Sequence, residues 1–62
     1  IPDRIVFLND KDIVLIDYKT GTKKSKYINQ LKCYEDKLYK IGLNTIKKII
    51  IYVSDDIKIE CF

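Results

Sequence analysis

The stretch 12-DIVLIDYKT-20 runs through Ile13, Val14, Leu15 and Ile16, then meets Asp17, Tyr18 and Lys19, and is followed at once by Gly21. A run rich in β-branched residues, Ile13, Val14 and Ile16, favours a strand over a helix turn. Side chains alternate along a strand, which puts Ile13, Leu15, Asp17 and Lys19 on one face and Val14, Ile16 and Tyr18 on the other. The first face is apolar at one end and charged at the other, so its apolar end packs and its charged end has another task. Gly21 lets the chain leave the sheet, and 22-TKKS-25 is a basic, solvated link.

Working outward, 4-RIVFL-8 is a short apolar strand joined to this one through Asn9, Asp10 and Lys11, a three-residue polar loop suited to a hairpin. If Leu8 pairs with Asp12, Asp3 falls opposite Asp17 at the end of the hairpin away from its turn, with Cβ atoms about 5 Å apart. On the other side, from Ser25 to Ile41, the apolar residues Tyr27, Leu31, Tyr34, Leu38 and Ile41 recur at helical spacing. Ser25 is the expected N-cap and Gly42 the expected stop, with Lys37 and Lys40 suited to the negative end of the helix. Gln30 falls within or beside the apolar stripe, where an amide needs a partner.

The segment 47-KKIIIYVS-54 reads as a buried strand, parallel to the second because a helix connects the two. Asp55 and Asp56 make a polar turn, and 57-IKIECF-62 alternates as a further strand. The expected fold is α/β, in the order β-β-α-β-β, a mixed sheet with one covering helix. The opposite sheet face is left for sequence not present or for a second copy of the chain.

The bulk properties bound the function. The chain has 62 residues and 7.3 kDa, enough for one domain. With 47% hydrophobic and 34% charged residues it is globular in composition. Twelve basic residues against nine acidic ones give +3, which admits nucleic acid as a partner without requiring it. Cys33 and Cys61 have neither metal-ligand nor disulfide-framework spacing and suit a reducing, cytoplasmic setting. No apolar run approaches the roughly 18 residues of a membrane span. A chain that opens on Ile1 rather than Met reads as a piece of a longer protein.

Asp3, Asp17 and Lys19 converge on one end of the hairpin. Two carboxylates beside a lysine suit metal-assisted phosphodiester hydrolysis. Hard oxygens hold Mg²⁺ or Mn²⁺, the metal activates water, and the ammonium steadies developing charge. The backbone carbonyl of Tyr18 is a further candidate oxygen ligand. The same residues also fit solvated strand ends with Asp17 paired to Lys19.

The string 2-PD-3, then 17-DYK-19 within IDYKTG, then 30-QLKCY-34 on the following helix resembles the PD-(D/E)xK nuclease superfamily, specifically its RecB-type exonuclease branch. The resemblance implies a restriction-endonuclease-like core, with residues 1–62 as a partial nuclease domain lacking an upstream helix. It implies Asp3 and Asp17 as metal ligands, Lys19 as the catalytic lysine, and Gln30 and Tyr34 as residues that place the substrate strand. Lys23, Lys24 and Lys26 are weaker candidates for contact with the phosphate backbone. The implied substrate is DNA, as single-stranded ends, delivered by helicase domains of the parent protein in repair or recombination. Family members carry an upstream histidine or glutamate that completes the site, and this chain has no His. The hydrophobic position before the first aspartate is represented only by Ile1. A non-catalytic module that binds nucleic acid or protein with the same fold is the alternative. Restriction enzymes and Holliday junction resolvases share the metal-binding core with a different substrate.

Overall fold

In the computed structural model, which describes residues 2–62, Asn9 organises the first turn. Its side-chain Oδ1 accepts from the backbone N–H groups of Lys11 and Asp12, both at 2.9 Å, and its Nδ2 donates to Asp12 Oδ2 at 2.8 Å. This side-chain mimic of a backbone turn is what Asn does best in short loops. It joins β1 (Arg4–Phe7) to β2 (Asp12–Thr20). The strands are antiparallel, with Arg4 opposite Ile16 and Phe7 opposite Ile13, and Leu8 N–H donates to the Asp12 carbonyl at 2.8 Å. The expected hairpin register is therefore the observed one, and continuing it past Arg4 sets Asp3 opposite Asp17.

After Gly21, whose φ of +91° suits a residue without a Cβ, the chain enters α1 (Ser25–Lys40). The N-cap is Lys24 rather than Ser25, and no side chain caps the helix. The helix ends as expected at Gly42, with φ +92°. Gly42 N–H donates to the Tyr39 carbonyl and Leu43 N–H to the Leu38 carbonyl, each at 3.0 Å, the pairing of a Schellman motif. Leu38 and Leu43 both pack against the core, the apolar contact that accompanies this motif. Ile41, expected on the apolar stripe, is instead the C-cap and is exposed, because the turn at Gly42 hands its place to Leu43.

The strand expected from Lys47 begins three residues earlier, as β3 (Asn44–Val53). It runs parallel to β2, with Asp12 opposite Asn44 and Asp17 opposite Ile50. The register shifts between Ile13 and Val14, where Thr45 is followed in the pairing by Lys47, so Ile46 is the extra residue of a bulge and is left exposed. The final strand, β4 (Ile57–Cys61), is antiparallel to β3. The result is one four-stranded mixed sheet in the order β1-β2-β3-β4, in the chain order β-β-α-β-β, with one helix on one face.

The core lies between α1 and that face. Ile13, Leu15, Ile50, Tyr52 and Leu31 are buried, with Tyr27, Ile28, Tyr34, Leu38, Leu43 and Phe62 packed around them. Leu31 is the one fully enclosed helix side chain, and burial of a leucine is worth about 2 kcal/mol. Lys48, also on the helix side, donates to Glu35 Oε1 at 3.0 Å and lies 5.4 Å from the centre of the Phe62 ring. This ion pair ties the middle of α1 to β3. The opposite face carries Ile16 opposite Ile49 and, one row on, Ile51 opposite Ile59, and Ile57 and Ile59 are 70% and 62% exposed. Among the described residues nothing covers that face, and no helix is long and apolar enough to cross a membrane.

Among the described residues, one buried side-chain polar atom has no partner. Thr45 Oγ1, beside the bulge, is buried without a hydrogen bond, and such an orphan costs about 1–3 kcal/mol. Thr45→Val, which keeps the shape and removes the hydroxyl, is expected to raise unfolding free energy by about 1 kcal/mol in a urea titration. A loss of stability would mean that the hydroxyl has a partner after all.

Candidate active site

β2 delivers the charged pair. Its alternation keeps Asp17 and Lys19 on the same face as Ile13 and Leu15, one turn of the pleat beyond the packed core. Asp17 is only 6% exposed, and Lys19 Nζ lies 3.1 Å from Asp17 Oδ2. A buried carboxylate needs a charge partner, and Lys19 provides it. Lys19 Nζ also sits 4.8 Å from the centre of the Tyr27 ring, a cation–π contact that fixes the ammonium above the first turn of α1. Tyr27 in turn meets Tyr52, ring centroids 6.4 Å apart at 44°.

Asp3 reaches the same place from the other strand. Its Oδ2 accepts the Tyr18 backbone N–H at 2.8 Å, so the carboxylate caps an amide that would otherwise have no partner beyond the end of β1. The N–H and C=O of one strand residue point to the same edge. The Tyr18 carbonyl therefore faces the Asp3 side too. The Tyr18 N–H is the main reason the Asp3 carboxyl is held below its ordinary value of 3.8. Hydrogen bonding with the Asp17 side chain and the charge of Lys19 act in the same direction, against a smaller desolvation effect.

Asp3, Asp17, Tyr18 and Lys19 are thus brought together as the sequence led one to expect. Gln30 and Tyr34 are on α1, one helical turn apart, but neither makes a hydrogen bond to this group among the described residues. Gln30 is exposed, beside the apolar stripe and not within it, and Tyr34 is half-buried against the core, with Lys37 5.5 Å from its ring centre. The helix residue that does touch the charged group is Tyr27, which the sequence marks only as part of the apolar stripe. Of the three lysines after β2, Lys23 pairs with Glu60 Oε2 at 3.4 Å, Lys24 is the exposed N-cap, and Lys26 lies 5.6 Å from the Tyr27 ring centre. Ile1 lies outside the described residues.

No protein-family model matches the chain, and no curated protein is significantly similar to it. Among the described residues no cluster of three or more His, Cys, Asp or Glu side chains is arranged to hold a metal ion. The site offers two carboxylates. Asp3 Oδ2 is engaged by the Tyr18 amide and Asp17 Oδ2 by Lys19, and the two side chains lie within hydrogen-bonding reach of each other. With the Tyr18 carbonyl on the same edge, this is a hard-oxygen donor set of the kind that Mg²⁺ accepts while keeping several waters.

The carboxyl environments give a pH signature. Asp3 and Asp12 are both held below 3.8, Asp3 first by the Tyr18 amide and Asp12 first by the Asn9 side chain and then that of Asn44. A carboxyl depressed in the folded state binds its proton more weakly there than in the unfolded chain. Its stabilising effect is full above pH 3.8 and is lost as pH falls through the lower folded value. Stability measured from pH 6 down to pH 2 is expected to fall in this acid window, and the fall should be shallower in Asp3→Asn and in Asp12→Asn. A slope unchanged in both variants would show that other carboxyls govern it.

Proposed function

We propose that the chain is the metal-binding part of a phosphodiester-cleaving domain with a restriction-endonuclease-like core, acting on DNA. The observation that carries this reading is the Asp3 carboxylate on the Tyr18 amide at 2.8 Å, where the β1–β2 register continued past Arg4 sets it opposite Asp17, with Lys19 Nζ 3.1 Å from Asp17. Carboxylates paired across adjacent strands repel one another unless a cation lies near, and here Lys19 is the cation beside them.

In this reading Asp3, Asp17 and the Tyr18 carbonyl hold Mg²⁺ or Mn²⁺. When bound, the ion polarises a phosphoryl oxygen and lowers the pKa of water. The chain's own groups do the rest. Asp17 and Tyr27 fix Lys19, so its ammonium stands ready to orient a nucleophilic water and to balance charge that develops on the phosphate. The Tyr18 amide orients Asp3 by holding one of its oxygens, leaving the other toward the shared space. The exposed amide of Gln30, on the same helix as Tyr27, suits contact with a substrate strand, with Tyr34 as its support. Lys24 and Lys26 add cations next to the phosphate path. Single-stranded ends supplied by a motor domain of a longer repair or recombination protein are the substrate that the sequence resemblance implies.

A second reading has one observation in its favour. With two carboxylates in the site and, among the described residues, no third metal-ligating side chain grouped with them, the same surface can bind nucleic acid without cutting it. The two readings separate in one assay of 5′- and 3′-labelled single-stranded DNA with Mg²⁺ or Mn²⁺. The nuclease reading expects cleavage that Asp17→Ala abolishes and that Lys19→Ala slows by about 100-fold, the size of losing one preorganised donor. Binding without cleavage would favour the second reading, and cleavage that survives Asp17→Ala would contradict the first.

A further inference from the structure

A cavity of about 230 Å³ opens at the carboxyl ends of the two parallel strands, lined by Gly21, Thr22, Lys23, Tyr52, Ser54 and Lys58. This is the end of an α/β sheet where ligands usually enter, because the connections after the strands diverge there. The volume is below the roughly 300 Å³ at which small-molecule sites begin. It is ample for a single phosphate group with part of its sugar.

The charges lining this space are those of Lys23 and Lys58. Glu60, outside the lining, meets Lys23 at 3.4 Å and accepts from the Tyr52 hydroxyl at its Oε1, also at 3.4 Å. Lys58 is exposed and makes no ion pair among the described residues. Ser54 is committed to its own turn, its N–H and hydroxyl both donating to the Asp56 carbonyl, so the donors available to a ligand are the two ammonium groups and the Thr22 hydroxyl. Asp55 and Asp56 do not line the cavity.

The cavity is in line with the charged site. Lys19 is opposite Tyr52 and Tyr52 opposite Lys58, so the three form one lateral row across β2, β3 and β4. Paired residues share a sheet face, and strands are about 4.8 Å apart, which puts the Lys19 and Lys58 backbones about 10 Å apart. Between them stand Tyr52, buried, and Tyr27 against it. A polyanion crossing this end of the sheet would meet Lys19 and the two carboxylates at one end and Lys58 with Lys23 at the other.

We propose that this cavity is a phosphate subsite that holds a backbone phosphate of the nucleic-acid strand flanking the one at Asp3 and Asp17. Lys58 is its uncommitted charge partner, and Lys23 is released to it from Glu60. The proposal rests on the reading of the site as one that acts on nucleic acid, and its test separates the two.

The test has two arms, both without metal and therefore independent of cleavage. Titrating inorganic phosphate into the ¹⁵N-labelled chain should move the amide signals of Gly21, Thr22 and Lys58 saturably, and Lys58→Ala should weaken that response severalfold while Lys58→Arg retains it. In the second arm, a fluorescent single-stranded oligonucleotide should bind, and Lys58→Ala should lower the slope of log affinity against log salt by about 0.7. Lys58→Gln makes the same comparison if the alanine variant disturbs β4. Both effects in a chain that cuts nothing would uphold the subsite and favour the reading in which the surface binds nucleic acid without cutting it. Asp17-dependent cleavage with an unchanged salt slope in Lys58→Ala would uphold the nuclease reading and overturn the subsite. Phosphate shifts without an effect on the oligonucleotide, or no saturable shifts, would also overturn it.

Discussion

The two-residue alternation of β2, held between hydrogen-bonded neighbours on both sides, fixes nearly everything else in this small protein. β1 pairs with it antiparallel and β3 parallel. Because both edges of β2 are engaged, its faces cannot slip without moving the apolar set off the core. Ile13 and Leu15 must then face α1, and Asp17 and Lys19 must follow them on the same side. The charged pair is displayed at the end of the sheet where helix cover runs out.

A core built on one side of a sheet has an abrupt boundary, and the candidate site is at that boundary. Asp17 is buried next to Ile50, its lateral partner, yet it has a lysine for company. Lys19 is held by a carboxylate on one side and an aromatic ring on the other, an arrangement that limits its motion without neutralising it entirely. Tyr52 joins this region to β4, and burial, followed by the charge of Glu60, raises its hydroxyl pKa above 10.0. Its phenol stays protonated as a donor to Glu60 across the physiological range. The opposite sheet face, aliphatic and uncovered among the described residues, contributes little to this boundary.

Much of this was legible in the sequence, and what was missed has physical causes. The three-residue loop at Asn9 set the hairpin register, and the register alone brought Asp3 to Asp17. The parallel β3 followed from the intervening helix. Its early start did not, because Asn44 and Thr45 look like a linker after Gly42 until Asn44 N–H finds the Lys11 carbonyl at 2.6 Å, a contact between distant residues. The cap was misplaced by one residue because local composition favoured Ser25, whereas the chain leaves β2 still extended at Lys24. Gln30 follows a stripe whose period does not tell which flank meets the sheet. The packing of α1 centres on Leu31 and leaves Gln30 in solvent. Tyr27 over Lys19 and Glu60 beside Lys23 depend on tertiary geometry, and no local pattern announces either. Tyr27 is on the helical stripe, however, and Glu60 shares the face of Lys58 once β4 is paired with β3.

The central claim is that Asp3 and Asp17 together form a divalent-cation site, and the most direct measurement is paramagnetic broadening by Mn²⁺ in the amide spectrum of the labelled chain. The account predicts that substoichiometric Mn²⁺ first erases the signals of Asp3, Asp17, Tyr18 and Lys19, and that Asp17→Asn removes this selectivity. Broadening that is equally strong at the surface acids Asp10, Asp36, Asp55 and Asp56, or that is unchanged in Asp17→Asn, would contradict it.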